Sequence, residues 1–273
     1  NFIVTNNNFR EGKVNWELTS ELIEKKLTPI VNKQLVITQG FIGESKEHNT
    51  ITLGREGSDY SAAIFAYGLK ANHLTIWKDV DGVMNGDPKK FANTTKIDEL
   101  SYEQAIEMAY YGATVIHPKT IQPLQNRHIP LYVKSFVNPI GEGTKISTSA
   151  KTNKTPIFIS KSNQILLSIS SKDFSFIVED NLSSIFNTFA KYHVNINLMQ
   201  NSAISFSVCI DNKGEIVETL KNELSIHYSI HANENVELLT VMHQNDESIK
   251  DVLAERTVLL EQKTRATVQY ILQ

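Results

Sequence analysis

Apolar residues in the first 150 positions recur at two spacings, which predict alternating strands and helices. A helix is predicted from Ser58, because its apolar residues lie three and four positions apart, the period of one helical face. They are Ala62, Ala63, Phe65, Ala66 and Leu69. The short apolar runs Leu35–Ile37, Leu74–Trp77 and Leu131–Phe136 are typical of buried strands. Strands separated by helices indicate an α/β fold with a parallel sheet covered on both faces.

Local signals mark where two further helices begin and end. Ser101 and Gln104 have the spacing of a capping box. Gly112 stands where a glycine would end that helix. Pro118 suits the first turn of the next helix, because the N–H that proline lacks has no partner at that position.

A polar stretch at residues 141–156 divides the chain into two predicted domains. Its residues are mostly small and polar and show no apolar periodicity, which is typical of a linker. We therefore predict one domain over residues 1–150 and another over 151–273. The length of 273 residues suits about two domains.

The second domain is expected to contain two α+β units. Between about 163 and 232, apolar patterns follow the order βαββαβ of a ferredoxin-like unit. Its predicted strands are Ile165–Ile169, Val194–Met199, Ile204–Ile210 and Ile226–Ile230, and its helices begin near Leu182 and Ile216. Residues 233–273 follow the order βαββ and lack one strand, which Ile157–Ile159 in the segment 155–161 could supply.

Composition excludes several classes of partner. Hydrophobic residues make up 41% of the chain and charged residues 21%, the net charge is −3, and no long basic block is present, so no nucleic-acid partner is expected. The single cysteine, Cys209, excludes a disulfide within the chain and is predicted to be buried in a strand. No apolar run approaches the ~20 residues that span a bilayer, and no signal peptide is recognised. No membrane partner is expected, and the predicted location is cytoplasmic.

Residues 53–63 are the most informative segment for function, since a glycine-bearing loop there leads directly into a helix. Arg55 offers a forked cation that suits a carboxylate. Ser58 is placed to cap the helix and Asp59 lies in its first turn, where unpaired N–H groups and the helix dipole attract anions. A cation, a hydroxyl and a carboxylate therefore converge on one spot. A capped helix with a surface Arg–Asp pair is the simpler alternative.

Asp79 and Asp81 follow a predicted strand, where the loop at the carboxyl end of a parallel strand faces a ligand crevice. An EF-hand is excluded, because Val83 and Met84 stand where that loop needs a ligand and a glycine. An apolar strand ending in Asp-x-Asp-Gly also looks like the nucleophile motif of haloacid-dehalogenase-type phosphatases, with Asp79 as nucleophile and Asp81 as acid. Against it, Lys78 interrupts the apolar run, and no later pair of acids for magnesium is found.

Several segments together resemble the aspartokinase family. Gln39–Gly43 and Thr52–Ala63 resemble its aspartate-binding region, and Trp77–Pro88 resembles its adenine and ribose loop. Leu100–Ala105 and Tyr111–Pro118 resemble the next two blocks, and the second domain resembles paired ACT regulatory domains. The resemblance covers essentially the whole chain in one order. It implies an amino-acid-kinase-type lobe followed by ferredoxin-like ACT domains.

The resemblance implies phosphoryl transfer from ATP, with Mg²⁺, to the side-chain carboxylate of L-aspartate, the first step towards lysine, threonine and methionine. No resident metal site is expected. Arg55 would grip a substrate carboxylate in a bidentate fork, and Asp59 would receive the amino group or orient Arg55. The implied substrate-binding residues are Phe41, Arg55, Ser58 and Asp59; the implied nucleotide-binding residues are Lys78, Asp79, Met84, Lys89, Thr114 and Val115.

The chain departs from the family pattern in ways that bear on activity. Nothing matches the family's lysine in an N-terminal Lys-Phe-Gly-Gly segment, or the N-terminal threonine and glutamate of its aspartate site. The chain also starts at Asn1, just before a predicted strand, so we expect a longer parent protein and an inactive 273-residue chain. A non-catalytic amino-acid-sensing fragment is the alternative. Many relatives carry Thr for Lys78 and Lys for Thr114, so Lys78 could replace the cation lost at Thr114.

The resemblance also implies a homodimer through the ACT domains, with an amino-acid effector bound at its interface. The matching positions are Asn181, Leu182, Ile196, Asn197, Asn201, Ser202 and Ala203. Lysine-sensitive relatives carry acids where Asn197 and Ala203 stand. Lysine would therefore lose its ion-pair partners unless Asp173, Glu179 or Asp180 substitutes, and threonine is the other implied effector. These polar residues could also serve only as caps and turns.

Overall fold

The chain forms two compact units. The structure, a computed structural model, describes residues 1–113, 116–150, 154–173, 175–244 and 246–273. The first unit is Asn1–Lys154 and the second is Thr155–Gln273. Among the described residues, no helix combines the length and the apolar character needed to cross a bilayer.

The first unit begins with the strand β1 (Val4–Thr5), in the region where a strand was predicted. A helical segment that the sequence patterns did not reveal follows it, with α1 (Trp16–Leu22), a π-helical turn (Ile23–Leu27) and α2 (Thr28–Val31). The Asn15 side chain caps α1 by accepting a hydrogen bond from the Leu18 N–H at 3.1 Å. Pro29, in the first turn of α2, has no N–H, so the α-helical hydrogen-bond ladder cannot run through it. A π-helical turn precedes that break.

A small three-stranded sheet follows. β2 (Ile42–Ser45) pairs in parallel with β1 and antiparallel with β3 (Thr50–Thr52). The helical segment covers this sheet through a buried cluster formed by Ile3, Ile23, Leu27, Leu53 and Ile64.

The predicted strand Leu35–Ile37 is wrong for the described part of the chain, because no strand pairs with this run. Val36 packs against the buried cluster. Leu35 and Ile37, by contrast, are 88% and 90% exposed. An apolar run forms a buried strand only where a neighbouring strand and a covering layer are available.

The second sheet of this unit is mixed. Its strands are β4 (Leu74–Lys78), β5 (Glu99–Leu100), β6 (Leu131–Ser135) and β7 (Thr144–Ile146), in the order β4-β6-β7-β5. β4–β6 and β5–β7 are parallel pairs, whereas β6–β7 is antiparallel. The predicted α/β class with parallel pairing is confirmed, but in two mixed sheets. The connections 46–49 and 136–143 contain no helix, and such short connections lead to antiparallel neighbours.

Part of the predicted linker is a strand. Thr144 and Ile146 of β7 are 0% and 1% exposed. The Thr144 hydroxyl accepts a hydrogen bond from the Val83 N–H at 2.8 Å. A polar residue whose hydrogen bonds are satisfied internally can be buried, which composition alone does not reveal.

Three helices complete the unit: α3 (Gly57–Leu69), α4 (Tyr102–Tyr111) and α5 (Pro118–Asn126). The capping box is confirmed, since the Ser101 hydroxyl accepts from the Gln104 N–H at 3.1 Å and the Gln104 side chain accepts from the Ser101 N–H at 3.2 Å. Gly112 ends α4 with φ 113°, a conformation that glycine adopts without strain. Pro118 occupies the first turn of α5, as expected.

The second unit is built on one six-stranded antiparallel sheet in the order β12-β13-β11-β8-β10-β9. Its strands are β8 (Ile157–Ser171), β9 (Ile196–Asn201), β10 (Ser205–Asp211), β11 (Tyr228–Met242), β12 (Val258–Lys263) and β13 (Thr267–Leu272). Its helices are α6 (Glu179–Lys191), α7 (Glu215–Leu224) and α8 (Asp246–Leu253). β8, α6, β9, β10, α7 and β11 follow the order βαββαβ.

Two long strands join what the sequence divides into two α+β units. Ile157–Ile159 and Ile165–Ile169, predicted as separate strands, both belong to the 15-residue β8. β11, also of 15 residues, pairs with β8 along most of its length, with register shifts between Asn233 and Leu238. Neighbouring residues Asn163 and Asn235 have positive φ angles of 55° and 56°. The backbone changes conformation at these residues while pairing continues on either side.

The two faces of the sheet carry different cores. On one face, α6 and α7 pack through residues such as Ile185, Phe189 and Leu220 onto Leu167 and Val208. On the other, Leu166 and Cys209 pack with Leu238 and Ile271. Burial raises the pKa of the Cys209 thiol to about 12, as expected for a cysteine in a strand core.

Candidate functional site

The start of α3 is formed by an unusual backbone rather than by a side-chain cap. Glu56 precedes the helix in the left-handed conformation, with φ 52°, and makes no capping hydrogen bond through its side chain. Ser58 lies inside the first turn and is exposed, so the predicted cap at Ser58 is wrong. The Ser58 hydroxyl therefore lies at the surface beside N–H groups of the helix start.

The loop carrying Phe41 is fixed against this helix start. The Phe41 N–H donates to the Ser61 hydroxyl at 2.7 Å, and that hydroxyl donates to the Gly57 carbonyl at 2.7 Å. A Cβ atom on Gly57 would lie 2.7 Å from the Phe41 ring, too close for any other residue without a shift. Gly57 is needed here because the aromatic side chain closes on the helix backbone.

An ion pair connects a residue predicted to bind aspartate with a residue predicted to bind the nucleotide. Lys78, at the carboxyl end of β4, donates from Nζ to Asp59 Oδ2 at 2.8 Å. The two side chains are 27% and 14% exposed, so the pair is partly removed from water. Asp59 belongs to the predicted aspartate set and Lys78 to the predicted nucleotide set, and the structure places them in contact.

The remaining predicted nucleotide residues lie along the loop after β4. Asp79 is exposed, and Met84 is half-buried in a bridge with Lys96. Lys89 is exposed, and its N–H donates to Asp87 Oδ1 at 2.9 Å. Thr114 and Val115 lie outside the described residues. That Lys78 replaces the cation which many relatives carry at the position of Thr114 therefore stays a prediction.

Glu56 and His117 form a feature that the sequence did not reveal. One carboxylate oxygen of Glu56 is buried without a hydrogen-bond partner among the described residues. Burial lowers the pKa of His117, and the Glu56 carboxylate opposes this by raising it. The Lys119 and Arg55 cations lower the His117 pKa further. The exposed Arg55 is thus within electrostatic reach of His117. The sequence shows an acidic residue at a loop–helix junction, but no local pattern indicates that His117 lies near it.

In the second unit, four predicted effector residues lie at one end of the sheet. Asn181, in the first turn of α6, accepts from the Val178 N–H at 3.2 Å, and Leu182 packs on the core. Asn201 is the last residue of β9, Ser202 follows it, and both are exposed. The Ile177 N–H donates to the Ala203 carbonyl at 2.9 Å, which joins the segment before α6 to the segment after β9.

Ile196 and Asn197 lie at the other end of β9. Successive strand residues face opposite sides of a sheet, and five residues of strand span about 17 Å. Ile196 accordingly packs on the α6–α7 core. Asn197 donates to Gln164 at 2.8 Å and to Asp211 at 2.9 Å, and accepts from Lys161 at 3.0 Å. The Asn197 amide is therefore engaged within the protein.

Comparison with known proteins identifies the family. Residues 2–135 match the model of the "Amino acid kinase family". The chain is 33% identical over 248 residues to the lysine-sensitive aspartokinase 3 of Escherichia coli, covering 87% of this chain and 55% of that protein. It is 31% identical over 218 residues to the chloroplastic aspartokinase 3 of Arabidopsis thaliana, covering 77% of this chain and 38% of that protein. The chain thus spans about half of the length of such relatives, or less.

Crystal structures of aspartokinases are also similar to this chain. A crystal structure of E. coli aspartokinase III in complex with lysine and aspartate superposes with a TM-score of 0.79 at 28% identity, covering 99% of this chain and 64% of that one. The same enzyme with aspartate and ADP gives a TM-score of 0.78. The aspartate kinase of Clostridium acetobutylicum shares the fold, with a TM-score of 0.81 at 23% identity over 95% of this chain and 64% of that one. The chain belongs to the aspartokinase family.

Proposed function

We propose that this chain contributes the aspartate and nucleotide contacts of a kinase that transfers phosphate from ATP to the side-chain carboxylate of L-aspartate. The observation that carries the proposal is the Lys78–Asp59 ion pair, which joins residues implied for the two substrates. Both an aspartate–ADP complex and an aspartate–lysine complex are known for the E. coli relative.

The chemistry of each side chain supports its proposed role. Arg55 is exposed beside the helix start, where its planar fork suits a substrate carboxylate. Asp59 holds the Lys78 ammonium at the carboxyl end of β4, the end at which ligands of α/β sheets bind. A cation fixed in that position would neutralise charge that develops on the transferred phosphoryl group.

Magnesium fits this site as a companion of the nucleotide. The described residues contain no group of three or more acidic, histidine or cysteine side chains that could hold a metal by themselves. Mg²⁺ at phosphate-transfer sites usually needs one or two carboxylates besides the substrate phosphates. The exposed carboxylates of Asp79 and Asp81, next to Lys78, meet that requirement. The bound ion would neutralise charge on the ATP phosphates.

The activity is tested by ADP release in the presence of L-aspartate and Mg-ATP, using both the 273-residue chain and the full product of its gene. We expect turnover on the order of 1–100 s⁻¹, typical of kinases, for the full product, and background for the chain alone. Turnover of that size by the chain alone, or no aspartate-dependent turnover by the full product, would contradict the proposal.

The Arg55 role is tested in the full product with Arg55→Lys. We expect the KM for aspartate to rise at least about tenfold, with little change in the KM for ATP, because an ammonium cannot reproduce a two-pronged carboxylate contact. Arg127→Lys is the matched control, since Arg127, which follows α5, stacks over the Tyr67 ring of α3 and has no proposed substrate role. Equal rises for both substrates would place Arg55 outside the aspartate pocket.

We propose that the second unit binds an amino-acid effector, lysine or threonine, near the start of α6 and the end of β9. Asn181, Leu182, Asn201 and Ser202 lie there, whereas the Asn197 amide is already bonded to other side chains. We also propose that two copies pair through this unit, since β9 and β12 are edge strands with unpaired backbone groups. Lysine binding should be weak and should tighten in Ala203→Glu, as measured by calorimetry. Unchanged affinity would place the effector elsewhere.

A further inference from the structure

Three helices of the first unit, α1, α3 and α5, surround a cleft that the proposed kinase chemistry does not use. Helix α3 packs against both α1 and α5, so the walls of the cleft come from within this unit. The volume of the cleft is about 310 Å³, at the lower end of the range for small-molecule pockets. The side chains that give it its chemical character are Trp16, Tyr60, Tyr67, Lys119, Gln122 and Asn126.

The part of the cleft on α1 and α3 is aromatic and held in place. The Trp16 ring meets the rings of Tyr60 and Tyr67 edge to face, with ring centroids 6.4 and 5.0 Å apart. The guanidinium of Arg127 lies 4.2 Å from the centre of the Tyr67 ring and fixes it further. Burial raises the pKa of the Tyr60 hydroxyl, which therefore stays a protonated donor at neutral pH. Rings that are already ordered can stack on a planar ligand with little further loss of side-chain freedom.

The part of the cleft on α5 carries an ammonium and two carboxamides. Lys119, Gln122 and Asn126 are three and four positions apart, so they share one face of the helix. Within the described part of the chain, these side chains and the Trp16 indole N–H form no hydrogen bond with protein groups. No described lining residue is acidic, so Lys119 leaves the cleft positively charged. A carboxamide offers a donor and an acceptor side by side, which matches the edge of a nucleobase.

We propose that this cleft binds a mononucleotide, with the base against the aromatic side chains and the phosphate beside Lys119. A phosphate without a ring would leave the aromatic side chains unused, and a ring without charge would leave the ammonium unpaired. None of the residues that line the cleft belongs to the predicted aspartate or nucleotide contacts of the kinase site. The proposal therefore does not depend on kinase activity.

The fluorescence of Trp16 tests the binding in the 273-residue chain. The chain contains two tryptophans, so Trp77→Phe leaves Trp16 as the only reporter. With AMP as the probe, we expect a saturable change in emission with half-saturation below about 1 mM, and none with ribose 5-phosphate, which lacks the base. No saturable change up to about 10 mM AMP, or an equal response to ribose 5-phosphate, would overturn the proposal.

The phosphate contact is tested with Lys119→Gln, which removes the charge and keeps a long polar side chain at an exposed position. We expect the Kd for AMP to rise at least about tenfold, because a charge-assisted hydrogen bond is lost. Lys46→Gln is the matched control, since Lys46 is exposed in the turn between β2 and β3, and it should leave the Kd unchanged. Equal Kd values for Lys119→Gln and Lys46→Gln would refute the assigned position of the phosphate.

A third variant, Asp79→Asn, separates this cleft from the proposed kinase site. Asp79 is one of the predicted nucleotide contacts and does not line the cleft. The response of Trp16 to AMP should therefore persist in Asp79→Asn with the same Kd. Loss of the response would place AMP at the kinase site, and it would overturn the cleft proposal while leaving the proposed kinase activity standing.

Discussion

The Lys78–Asp59 pair is more buried than the Lys25–Glu21 pair of the same unit. Its side chains are 27% and 14% exposed, whereas those of the Lys25–Glu21 pair are 71% and 50% exposed. Exposed ion pairs contribute little, because water screens the charges and the long side chains lose entropy. The partly buried pair therefore has the stronger structural role of the two.

Two double-mutant cycles on the 273-residue chain test this difference by urea unfolding. Lys78→Met with Asp59→Asn should show a coupling of about 1 kcal/mol, at the upper end for pairs that retain some exposure. Lys25→Met with Glu21→Gln should show about 0.3 kcal/mol, the usual value for an exposed pair one helical turn apart. Equal couplings would mean that the Lys78 ammonium is not fixed by Asp59.

His117 should make the first unit less stable in mild acid. Burial lowers its folded-state pKa below the ordinary 6.5, so the unfolded chain binds a proton more readily. This contribution is fully present above the ordinary pKa and is lost as pH falls from there through the lowered folded-state pKa. Between about pH 7 and 5, the Tm of His117→Gln should therefore fall less than that of the unchanged chain. His128→Gln, at an exposed turn, should follow the unchanged chain. Parallel curves for His117→Gln and the unchanged chain would contradict the assignment.

For individual residues, the sequence predicted that charged and polar side chains gather around Arg55, but it did not predict all of their contacts. The contact between Lys78 and Asp59 of α3 was not predicted, since the two residues were assigned to different ligands. The cap was misassigned because Glu56 adopts a left-handed backbone, which residue preferences disfavour for glutamate. The proximity of Glu56 and His117 arises from tertiary packing, and no local pattern encodes it.

Helices α3 and α4 begin in different ways. Ser101 closes a full capping box on α4, whereas Ser58 lies within the first turn of α3 and caps nothing. The same residue type is therefore structural at one helix start and exposed at the other.

Ser101→Ala should lower the free energy of unfolding of the 273-residue chain by about 1 kcal/mol, because an N–H of α4 loses its acceptor. Ser58→Ala is the matched control and should change the free energy of unfolding by less than about 0.5 kcal/mol. Urea denaturation followed by circular dichroism measures both. A comparable loss in Ser58→Ala would indicate that its hydroxyl does cap α3 in solution.

Elements with strong local signals were predicted, and those that depend on distant partners were not. The capping box, Gly112 and Pro118 are local and were found. β7 was missed because Thr144 satisfies its hydroxyl through residues far away in sequence. Leu35–Ile37 fails as a strand for the opposite reason, since its composition suits a strand and its partner is absent from the described residues.

In the second unit, the two core clusters described above consist of residues of that unit alone. The α6–α7 core and the core on the opposite face involve residues from Ile165 to Ile271. The sequence predicted a change of character between the units and the βαββαβ order. It did not predict the shared sheet, because polar residues at 160–164 interrupt the apolar pattern while the strand continues.

The segment 155–273 should therefore fold alone and melt in one cooperative transition, as followed by circular dichroism and calorimetry. The segment 155–235 should not fold, because the first half of β8 loses the second half of β11 as its partner. Two separate transitions in 155–273, or a folded 155–235, would show that its two halves are independent domains.

The long strands β8 and β11 also restrict which insertions and deletions the sequence can tolerate during evolution. Side chains alternate between faces at every residue, so one inserted or deleted residue in either strand reverses the facing of all positions beyond it. Because both halves of the unit share these strands, such a change would disturb two cores at once. Changes of length should therefore be tolerated in turns such as 212–214 and not within 157–171 or 228–242.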